Sequence, residues 1–474
     1  MERKAQVLNT YPAIDEAAVD LLLQQEIAAN PTKLVVLDDD PTGVQTVHGV
    51  SVYTDWEVES VRQGLLEPGK LFFILTNSRG MTAAETTRVH REIIANVYSA
   101  SKETGVPILI VSRSDSTLRG HYPLETLLLK EGAEAEGGTV DGEIICPFFK
   151  EGGRFTIDNI HYVKYGDTLV PAAETEFAKD RTFGYAHSSI PDYVEEKTKG
   201  AYKSEQVICI SLDDLRACAY DKILDQLMAA KDFNKICVNA VDYCDLKVFG
   251  VAFYRALAKG RTFMIRTAAG LVKVLGGISD RPLLTAKDMI TEASAGRGGV
   301  VVVGSHTKKT TEQLGELLKL PGVVSIEFNS DLVLDTQEAF QAEIDRCVRL
   351  EEQCILDGKT AVCYTKRTLL QMENDTEETA LLRSVRISDG VQSLVGRLSV
   401  TPAFVVAKGG ITSSDVGTKA LQVRRATVLG QIRSGIPVWQ TGTESRFPQI
   451  PYIIFPGNVG SAETLREVVE ILTN

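Results

Sequence analysis

Short runs of apolar residues alternate with longer stretches of mixed polarity along the chain. In the first half these runs have strand length, and each is followed by polar or glycine-containing residues: Leu34–Leu37, Leu71–Leu75, Ile108–Val111, Glu143–Cys146, Gln206–Ile210 and Lys235–Asn239. Between them lie stretches with helical periodicity, of which Thr82–Thr104 is the clearest. Apolar runs of this kind are typical of strands buried on both faces, so the alternation predicts an α/β fold with mostly parallel sheets.

A second series of apolar runs begins after a break near Gly277–Gly299, where glycines and Pro282 surround a short amphipathic piece. Its members are Val300–Val303, Val323–Phe328, Thr360–Tyr364, Ala403–Val406 and Ile436–Trp439. We therefore predict two domains, residues 1–280 and 298–474, joined by a hinge at residues 281–297. Each domain is expected to contain a mostly parallel sheet flanked by helices. The stretch Glu151–Thr198 has little periodicity, which we interpret as an irregular functional loop, and Cys146–Tyr162, which overlaps it, as a flexible loop able to close over a ligand.

Composition and charge narrow the class of protein. Hydrophobic residues make up 44% and charged residues 24% of the 474 residues, as in ordinary globular proteins. No apolar run approaches the length of a membrane span, and no apolar segment follows Met1–Thr10, so we expect neither a membrane anchor nor a signal peptide. The eight cysteines form no C-x-x-C pair, which favours reduced thiols in a cytoplasmic protein. A net charge of −12 makes nucleic acid and anionic membranes poor partners.

Reactive side chains follow several strands of the first half, where ligands of parallel sheets bind. Asp38, Asp39 and Asp40 are adjacent carboxylates that repel one another, which indicates a metal site, a general base or both; the alternative is a solvated turn that caps a helix. Thr76–Gly80 and Ser112–His121 add hydroxyls and arginines. Guanidinium groups recognise carboxylates and phosphates through paired hydrogen bonds, so these segments predict a site for an anionic, hydroxylated ligand.

Glycine-rich segments follow three strands of the second half: Gly304–Thr307, Lys408–Asp415 and Phe455–Ser461. Glycines let a phosphate approach the backbone, and the N-terminus of a following helix offers N–H donors. Together the three segments predict a nucleotide site. The P-loop pattern, the dinucleotide-binding G-x-G-x-x-G and the H-E-x-x-H zinc pattern are absent from the sequence, which disfavours those classes of protein.

One alternative begins at the first strand end. Asp38-x-Asp40-x-Thr42 after an apolar strand resembles the first motif of haloacid-dehalogenase-type phosphatases, and Leu75–Asn77 resembles their second. On that interpretation Asp38 is a covalent nucleophile, and Asp242 and Asp245 are distal metal ligands. The interpretation leaves the arginines near Arg119 and the second half of the chain unexplained.

A different resemblance covers nearly the whole chain. The sequence resembles the four-carbon acid sugar kinase family, long catalogued as a domain of unknown function. The first-half motifs are D-D-x-T-G at Asp39–Gly43, T-[DE]-S-R at Thr76–Arg79, K-x-D-S-T-L-R-G at Arg113–Gly120, G-R-x-T at Gly153–Thr156, H-Y-V at His161–Val163 and E-T-x-F-A-x-D at Glu174–Asp180. The second-half motifs are G-S-x-S-x-x-T-x-x-Q at Gly304–Gln313, G-G-E-T-S at Gly409–Ser413 and P-G-N-F-G at Pro456–Gly460.

The resemblance implies an N-terminal domain that binds the acid sugar and a C-terminal domain that binds ATP with Mg²⁺. It places the active site in the interdomain cleft, where the terminal hydroxyl of threonate, erythronate or an oxo-tetronate is phosphorylated. Asp39 or Asp115 is expected to take the hydroxyl proton, and Arg79 and Arg119 to bind the carboxylate. The full substrate set adds Asp40, Thr42, Ser78, Ser116, Thr117 and Arg154. The nucleotide set is Ser305, Gly409, Gly410, Ile411, Thr412, Gly457, Asn458 and Gly460.

The sequence departs from the family motifs at four positions. Asn77 replaces an acid, Arg113 replaces a lysine, Ile411 replaces a glutamate, and Asp38 is an extra carboxylate. These departures bear on which sugar acid is used and on how a metal is held, more than on phosphoryl transfer itself. The metal ligands and a homodimeric state are left open.

Overall fold

The computed structural model divides into two compact units. The first unit is Met1–Thr46 with Asp55–Asp280, and the second is Val47–Thr54 with Arg281–Asn474. The structure describes residues 2–291, 294, 296–368, 370, 372, 375–457 and 459–474, without the side chains of residues 377, 378 and 381. Within these ranges, every helix is too short or too polar to cross a bilayer.

Residues up to 280 contain twelve strands and nine α-helices. The strands are β1 (Arg3–Lys4), β2 (Lys33–Asp38), β3 (Val50–Tyr53), β4 (Leu71–Leu75), β5 (Ile108–Arg113), β6 (Gly142–Cys146), β7 (Arg154–Ile157), β8 (Ile160–Tyr165), β9 (Thr168–Pro171), β10 (Ile208–Ile210), β11 (Asn234–Val238) and β12 (Phe263–Thr267). The helices are α1 (Glu16–Ala29), α2 (Val58–Leu66), α3 (Ala83–Thr104), α4 (Leu124–Ala135), α5 (Ile190–Lys197), α6 (Leu212–Arg216), α7 (Tyr220–Met228), α8 (Tyr243–Ala258) and α9 (Ala269–Leu275).

The described part of the remaining chain continues the alternation. Its strands are β13 (Val300–Val303), β14 (Val323–Phe328), β15 (Thr360–Thr365), β16 (Val405–Lys408), β17 (Arg425–Arg433), β18 (Ile436–Thr441) and β19 (Pro451–Phe455). Its helices are α10 (Ala286–Met289), α11 (Lys308–Leu317), α12 (Gln337–Leu356), α13 (Glu377–Gly396), α14 (Gly410–Asp415) and α15 (Thr464–Thr473).

The main sheet of the first unit is parallel, in the order β10-β11-β6-β12-β5-β2-β4. Its central strands are apolar on both faces because helices cover both, and every residue of β2, β4 and β6 is buried. Helix α3 begins and ends at local signals in the sequence. Thr82 and Glu85 form a capping box at its start, and Gly105, with φ 69°, ends it.

The interpretation of Glu151–Thr198 as an irregular loop is wrong. This segment contains β7, β8 and β9, which form an antiparallel sheet with β1, and helix α5. Its strands are short and carry polar residues, so they lack the apolar runs by which the parallel strands are recognised.

The second unit has a mixed sheet in the order β3-β17-β18-β19-β16-β13-β15-β14. The strands from β19 to β14 are parallel, whereas β3, β17 and β18 pair antiparallel. Strand β3 comes from early in the chain, so the second unit includes a segment outside residues 298–474. Leu284 and Met289, from the expected hinge, lie in the core of this unit. The predicted α/β class with mostly parallel sheets is confirmed, whereas the hinge and the domain boundaries stay predictions.

Candidate functional site

The predicted acidic and basic residues of the first unit come together at the carboxyl ends of β5, β2 and β4, which are neighbours in the sheet. Arg79 lies at the centre of this cluster. Its Nη2 is 2.5 Å from Oδ1 of Asp39, and its Nη1 is 3.4 Å from Asp40 and 3.8 Å from Asp115. One guanidinium group therefore contacts three of the predicted carboxylates and fixes their spacing.

A second arginine lies behind this cluster. Arg113 is buried, and its Nη1 is 3.4 Å from Asp38 and 3.7 Å from Asp39. The Asp38 side chain points at the turn that follows β2, where a Cβ on Gly43 would lie 1.9 Å from its carboxylate. Burial raises the pKa of Asp38 to about 8, with Arg113 only partly offsetting it. Asp38 is thus a buried acid that is mostly protonated at neutral pH.

The other carboxylates of the cluster differ in basicity. Burial raises the pKa of Asp39, and Arg79 opposes this without cancelling it. Burial also disfavours charge on Asp115, but Arg79 and Arg119 outweigh it and hold the pKa of Asp115 far below its usual range. The pKa of Asp40 is lowered as well, because Arg79 and Thr42 outweigh the effect of burial. Asp39 is therefore the ionisable carboxylate with the greatest affinity for a proton after Asp38.

Several predicted substrate-binding hydroxyls bond within the protein. Thr42 donates to Asp40 over 2.5 Å, and Thr117 donates to Asp115. Ser78 is fully buried and donates to Glu125 over 2.6 Å, and Ser116 is buried too. Thr42 and Thr117 thus brace carboxylates of the cluster, and the roles of all four residues toward a substrate stay predictions.

Two further arginines lie near the aromatic ring of Phe177. The guanidinium carbons of Arg119 and Arg154 are 5.1 Å and 5.5 Å from the centre of this ring. Arg119 bonds Asp115 through Nε over 2.9 Å and lies 3.7 Å from Asp180, while the buried Nε of Arg154 has no acceptor in the described structure. Burial lowers the pKa of Arg154, as expected for a cation without a close carboxylate. This pair of arginines is less neutralised than Arg79.

The loop from Asp115 to Gly120 is held from outside by side chains that donate to four consecutive carbonyls. The pairs are His161 Nε2 to Ser116 (2.8 Å), the Tyr185 hydroxyl to Thr117 (2.7 Å), the Tyr193 hydroxyl to Leu118 (2.8 Å) and Arg266 Nη2 to Arg119 (3.1 Å). We call these four donors the carbonyl clamp. Burial lowers the pKa of His161 to about 4, so its ring is neutral and its role is structural.

The carbonyl clamp was missed in the sequence, although His161 itself lies in a quoted motif. Tyr185, Tyr193 and Arg266 occur in no motif, and a hydrogen bond to a distant carbonyl leaves no local pattern. Phe177 lies within the E-T-x-F-A-x-D match, which is the one signal that could have identified it.

The second unit contains a cavity of about 710 Å³ at the carboxyl ends of its parallel strands. Among its walls are the predicted nucleotide residues Ser305, Gly409, Gly410, Ile411, Thr412 and Gly457. Gly460 is not among the lining residues, and Asn458 lies outside the described residues. The opposite wall comes from the first four turns of α13 and the segment before it, with apolar Leu370, Ile387 and Val391.

The backbone of this cavity requires glycine at two positions. A Cβ on Gly304 would lie 2.5 Å from the Thr412 hydroxyl, so the loops after β13 and β16 approach closely only without a side chain there. Gly409 has φ 117°, a conformation that L-residues rarely adopt. Thr307 caps the N-terminus of α11 beside the cavity. The cavity is large enough for a nucleotide, and its glycine loops and helix N-terminus suit phosphate groups.

Metal ligands are not apparent in the protein itself. Among the residues that the structure describes, no group of three His, Cys, Asp or Glu side chains is arranged to hold a metal ion. The expectation that adjacent aspartates at the first strand end form a metal site therefore has no support, because arginines already pair with them. Mg²⁺ bound mainly through nucleotide phosphates needs few protein ligands, so the observation does not bear on that ion.

The phosphatase interpretation fails on topology. The proposed distal ligands follow β11, which is four strand positions from β2 in the sheet order. At roughly 4.8 Å per strand, Asp242 and Asp245 are about 19 Å from the end of β2. Asp242 pairs with Lys150, and Asp245 pairs with Arg216. Asp38 is buried and largely protonated, which makes it a poor nucleophile.

Comparison with known families matches both halves of the chain. Residues 34–275 match the model of a sugar-binding N-terminal domain, and residues 300–465 match that of a nucleotide-binding C-terminal domain. A search of curated proteins gives no match. The domain matches agree with the arginine-rich cluster of the first unit and the glycine-walled cavity of the second.

Two solved structures share the fold over almost their full length. A proposed tRNA synthase of Salmonella typhimurium LT2 has a TM-score of 0.65 at 16% identity, covering 92% of this chain and 98% of that one. A Haemophilus influenzae protein of the DUF1537 family has a TM-score of 0.61 at 16% identity, covering 92% of this chain and 100% of that one. At such low identity, the likeness concerns the fold. Together with the two domain matches, it shows that the chain belongs to the four-carbon acid sugar kinase family.

Proposed function

We propose that the protein transfers the γ-phosphoryl group of ATP to the terminal hydroxyl of a small sugar acid such as threonate, erythronate or an oxo-tetronate. The observation that carries the proposal is the cluster at the ends of β5, β2 and β4. It combines a buried carboxylate of raised pKa, Asp39, with incompletely neutralised arginines, in a chain that also has a nucleotide-binding domain. A small acid with hydroxyl groups matches this combination of charges.

We assign the carboxylate of the sugar acid to Arg119 and Arg154 rather than to Arg79. Arg79 already contacts Asp39, Asp40 and Asp115, so its charge is largely neutralised. Arg119 is about a quarter exposed and retains donors beyond its Nε bond, and Arg154 has an unused Nε. Two guanidinium groups beside one aromatic ring form a rigid anion-binding surface.

Asp39 is the better candidate for the general base. A base must retain affinity for a proton, and its raised pKa gives Asp39 more of that affinity than an ordinary aspartate has. Asp115 is held in its charged form by Arg79 and Arg119, so it accepts a proton poorly. Arg79 positions Asp39 through two bonds, from Nη2 over 2.5 Å and from Nε over 3.1 Å.

The nucleotide is assigned to the cavity of the second unit, with its phosphates toward the glycine loops and α11 and its base toward the apolar wall of α13. Mg²⁺ bound to the nucleotide phosphates would neutralise the charge that develops during transfer. Phosphoryl transfer depends mainly on positioning, so the two domains must bring the γ-phosphate to the sugar hydroxyl. The site between the domains stays a prediction.

The direct test mixes purified protein with ATP, Mg²⁺ and a panel of four-carbon sugar acids and measures ADP release. We expect saturable, acid-dependent ADP release with one or a few members of the panel, and a phosphomonoester product by ³¹P NMR. The matched control is Asp39→Asn, which keeps the shape of the cluster and removes the base.

Three outcomes would contradict the proposal. ADP release that does not depend on any sugar acid would indicate a simple ATPase. Hydrolysis of phosphomonoesters without ATP would revive the phosphatase alternative, and binding of a sugar acid without turnover would indicate a sensor.

A further inference from the structure

Lys408 is a buried lysine at the centre of the glycine-rich end of the second sheet. It is the last residue of β16, between Val303 of β13 and Phe455 of β19. The loops that follow all three strands line the cavity. The side chain is fully buried, and Nζ donates to the carbonyls of Pro456 over 2.7 Å and Gly457 over 2.9 Å.

This ammonium group has no negative partner in the part of the chain that the structure describes. Among the described residues, no carboxylate forms an ion pair with Lys408, and its remaining neighbour is the ring of Phe455, 4.5 Å from Nζ to the ring centre. The two carbonyls account for two of its three N–H donors, and no third acceptor is found among the described residues. Burial without a counter-charge disfavours the charged form of a lysine, so Lys408 holds its proton firmly only when an anion binds nearby.

The loop geometry supplies such an anion. Gly457, whose carbonyl accepts from Nζ, lines the cavity together with Gly409, the residue that follows Lys408. We propose that Lys408 is the positioning residue beneath the nucleotide phosphates, where it ties the Pro456–Gly457 backbone to the end of β16 and balances phosphate charge. This inference rests on the proposed function only in that the cavity binds a nucleotide.

The burial of Lys408 affects the protonation of its side chain when a nucleotide binds. Burial, reinforced by Lys309 on α11, lowers the pKa of Lys408 to about 7, so the free protein at pH 8 holds this lysine mostly uncharged. Nearby phosphates favour the charged form and raise this pKa. Nucleotide binding at pH 8 is therefore expected to take up most of one proton, and binding at pH 6 to take up little at this position.

Other charged groups around Lys408 are few. His306, in the loop after β13, also lines the cavity, and burial and Arg367 lower its pKa. It is therefore a second group able to take up a proton when phosphates bind. On α14, Asp415 is 3.1 Å from Lys419, with which it forms an ion pair.

The test is calorimetric. A non-hydrolysable ATP analogue with Mg²⁺ is titrated into the full-length protein at pH 8 in buffers of different ionisation enthalpy, and the slope gives the protons taken up. We expect uptake of about 0.9 proton in the wild type at pH 8, since a pKa of about 7 leaves that fraction to be filled, and a decline toward pH 6. Lys408→Arg, which is charged at every pH tested, should bind the analogue without that uptake.

Variants separate Lys408 from its neighbours. Lys408→Met should lose the uptake and bind roughly tenfold more weakly. His306→Asn should keep most of the uptake, and Lys308→Met should keep uptake and affinity because the Lys308 side chain is 93% exposed. If Lys408→Met fails to fold, Lys408→Arg and the pH series of His306→Asn decide the question.

The outcomes distinguish this inference from the proposed function. Analogue binding with the same proton uptake in Lys408→Arg and wild type would overturn the role of Lys408 and leave the kinase proposal intact. Absence of analogue binding to the wild type would overturn both.

Discussion

Asp39 and Asp115 differ in their affinity for a proton because their charged neighbours differ. Asp115 contacts Arg79 and Arg119 and stays ionised, whereas Asp39 shares Arg79 with Asp40 and is more deeply desolvated. Carboxylates a few ångströms apart can thus divide the roles of charge partner and base. That division is a property of the packed side chains, so the sequence alone leaves both aspartates as candidates.

Replacing Asp39 by asparagine should lower kcat by about 10²–10⁴-fold while the Kd for the sugar acid changes little, because the proton acceptor is lost and the carboxylate contacts remain. In the wild type, kcat/KM should fall as the pH decreases, since Asp39 must be ionised. Because burial raises the pKa of Asp39, this fall should begin at a higher pH than it would for an ordinary aspartate. Steady-state kinetics and calorimetry measure both. A larger loss of kcat in Asp115→Asn than in Asp39→Asn would reverse the assignment.

Replacing Asp38 by asparagine should leave turnover within about threefold, because asparagine resembles the neutral acid. Between pH 3.8 and about 8 the unfolded chain releases a proton that folded Asp38 retains, so this residue costs stability as the pH rises. Asp38→Asn should therefore be more stable than the wild type at pH 9, by at least about 1 kcal/mol, and equal to it at pH 3. Thermal melts across pH test this, and loss of all activity would favour a nucleophilic Asp38.

Strands that are buried on both faces were predictable, and strands that owe their place to polar contacts were not. Leu71–Leu75, Val300–Val303 and Val323–Phe328 are confirmed to the residue, whereas the predicted Ala403–Val406 lies two residues early. Strand β12 was missed because Arg266 interrupts its apolar run. That arginine is buried and donates to the carbonyl of Arg119.

The same reasoning explains what was predictable in the candidate site. Asp39, Arg79 and Asp115 stand directly after strands, where topology brings side chains together, so their proximity could be predicted from the sequence. The carbonyl clamp could not, because Tyr193 lies about 75 residues from its acceptor, Leu118, and only the folded small sheet and α5 bring them together.

The carbonyl clamp ties elements after β6 to the loop that carries Asp115 and Arg119. Tyr193→Phe removes the donor to the buried Leu118 carbonyl, which should cost about 1–3 kcal/mol of stability and raise the KM for the sugar acid several-fold, with the KM for ATP unchanged. Thermal melts and two-substrate kinetics check this.

Tyr254→Phe is the matched control for the carbonyl clamp. Tyr254 is also buried and donates to a backbone carbonyl, that of Leu275, over 2.5 Å. Its loss should cost similar stability without changing either KM. Equal effects of the two substitutions on the KM for the sugar acid would show that the carbonyl clamp acts only through stability.

Both expected substrates are anions, yet the protein carries a net charge of −12. Screening in physiological salt limits the reach of exposed charges to about 8 Å, so binding depends on local groups rather than on the total. The local groups differ between the units: a cluster of guanidinium groups in the first, and glycine loops above a buried lysine, with Arg383 already paired to Asp375, in the second. We therefore expect the acid sugar and the nucleotide to be recognised by groups that share no residue.

Separate recognition predicts that substitutions act on one ligand at a time. Arg119→Met should weaken binding of the sugar acid at least about tenfold and leave nucleotide binding unchanged, since it removes one of two carboxylate-binding cations. Gly409→Ala should do the reverse, because φ 117° strains any side chain and displaces the loop beside the cavity. Gly315→Ala, in open space on α11, is the control that should alter neither.

Calorimetric titration of each ligand alone into each variant gives the dissociation constants. If Arg119→Met weakened both ligands equally while its melting temperature stayed that of the wild type, the assignment of the two ligands to separate units would be wrong.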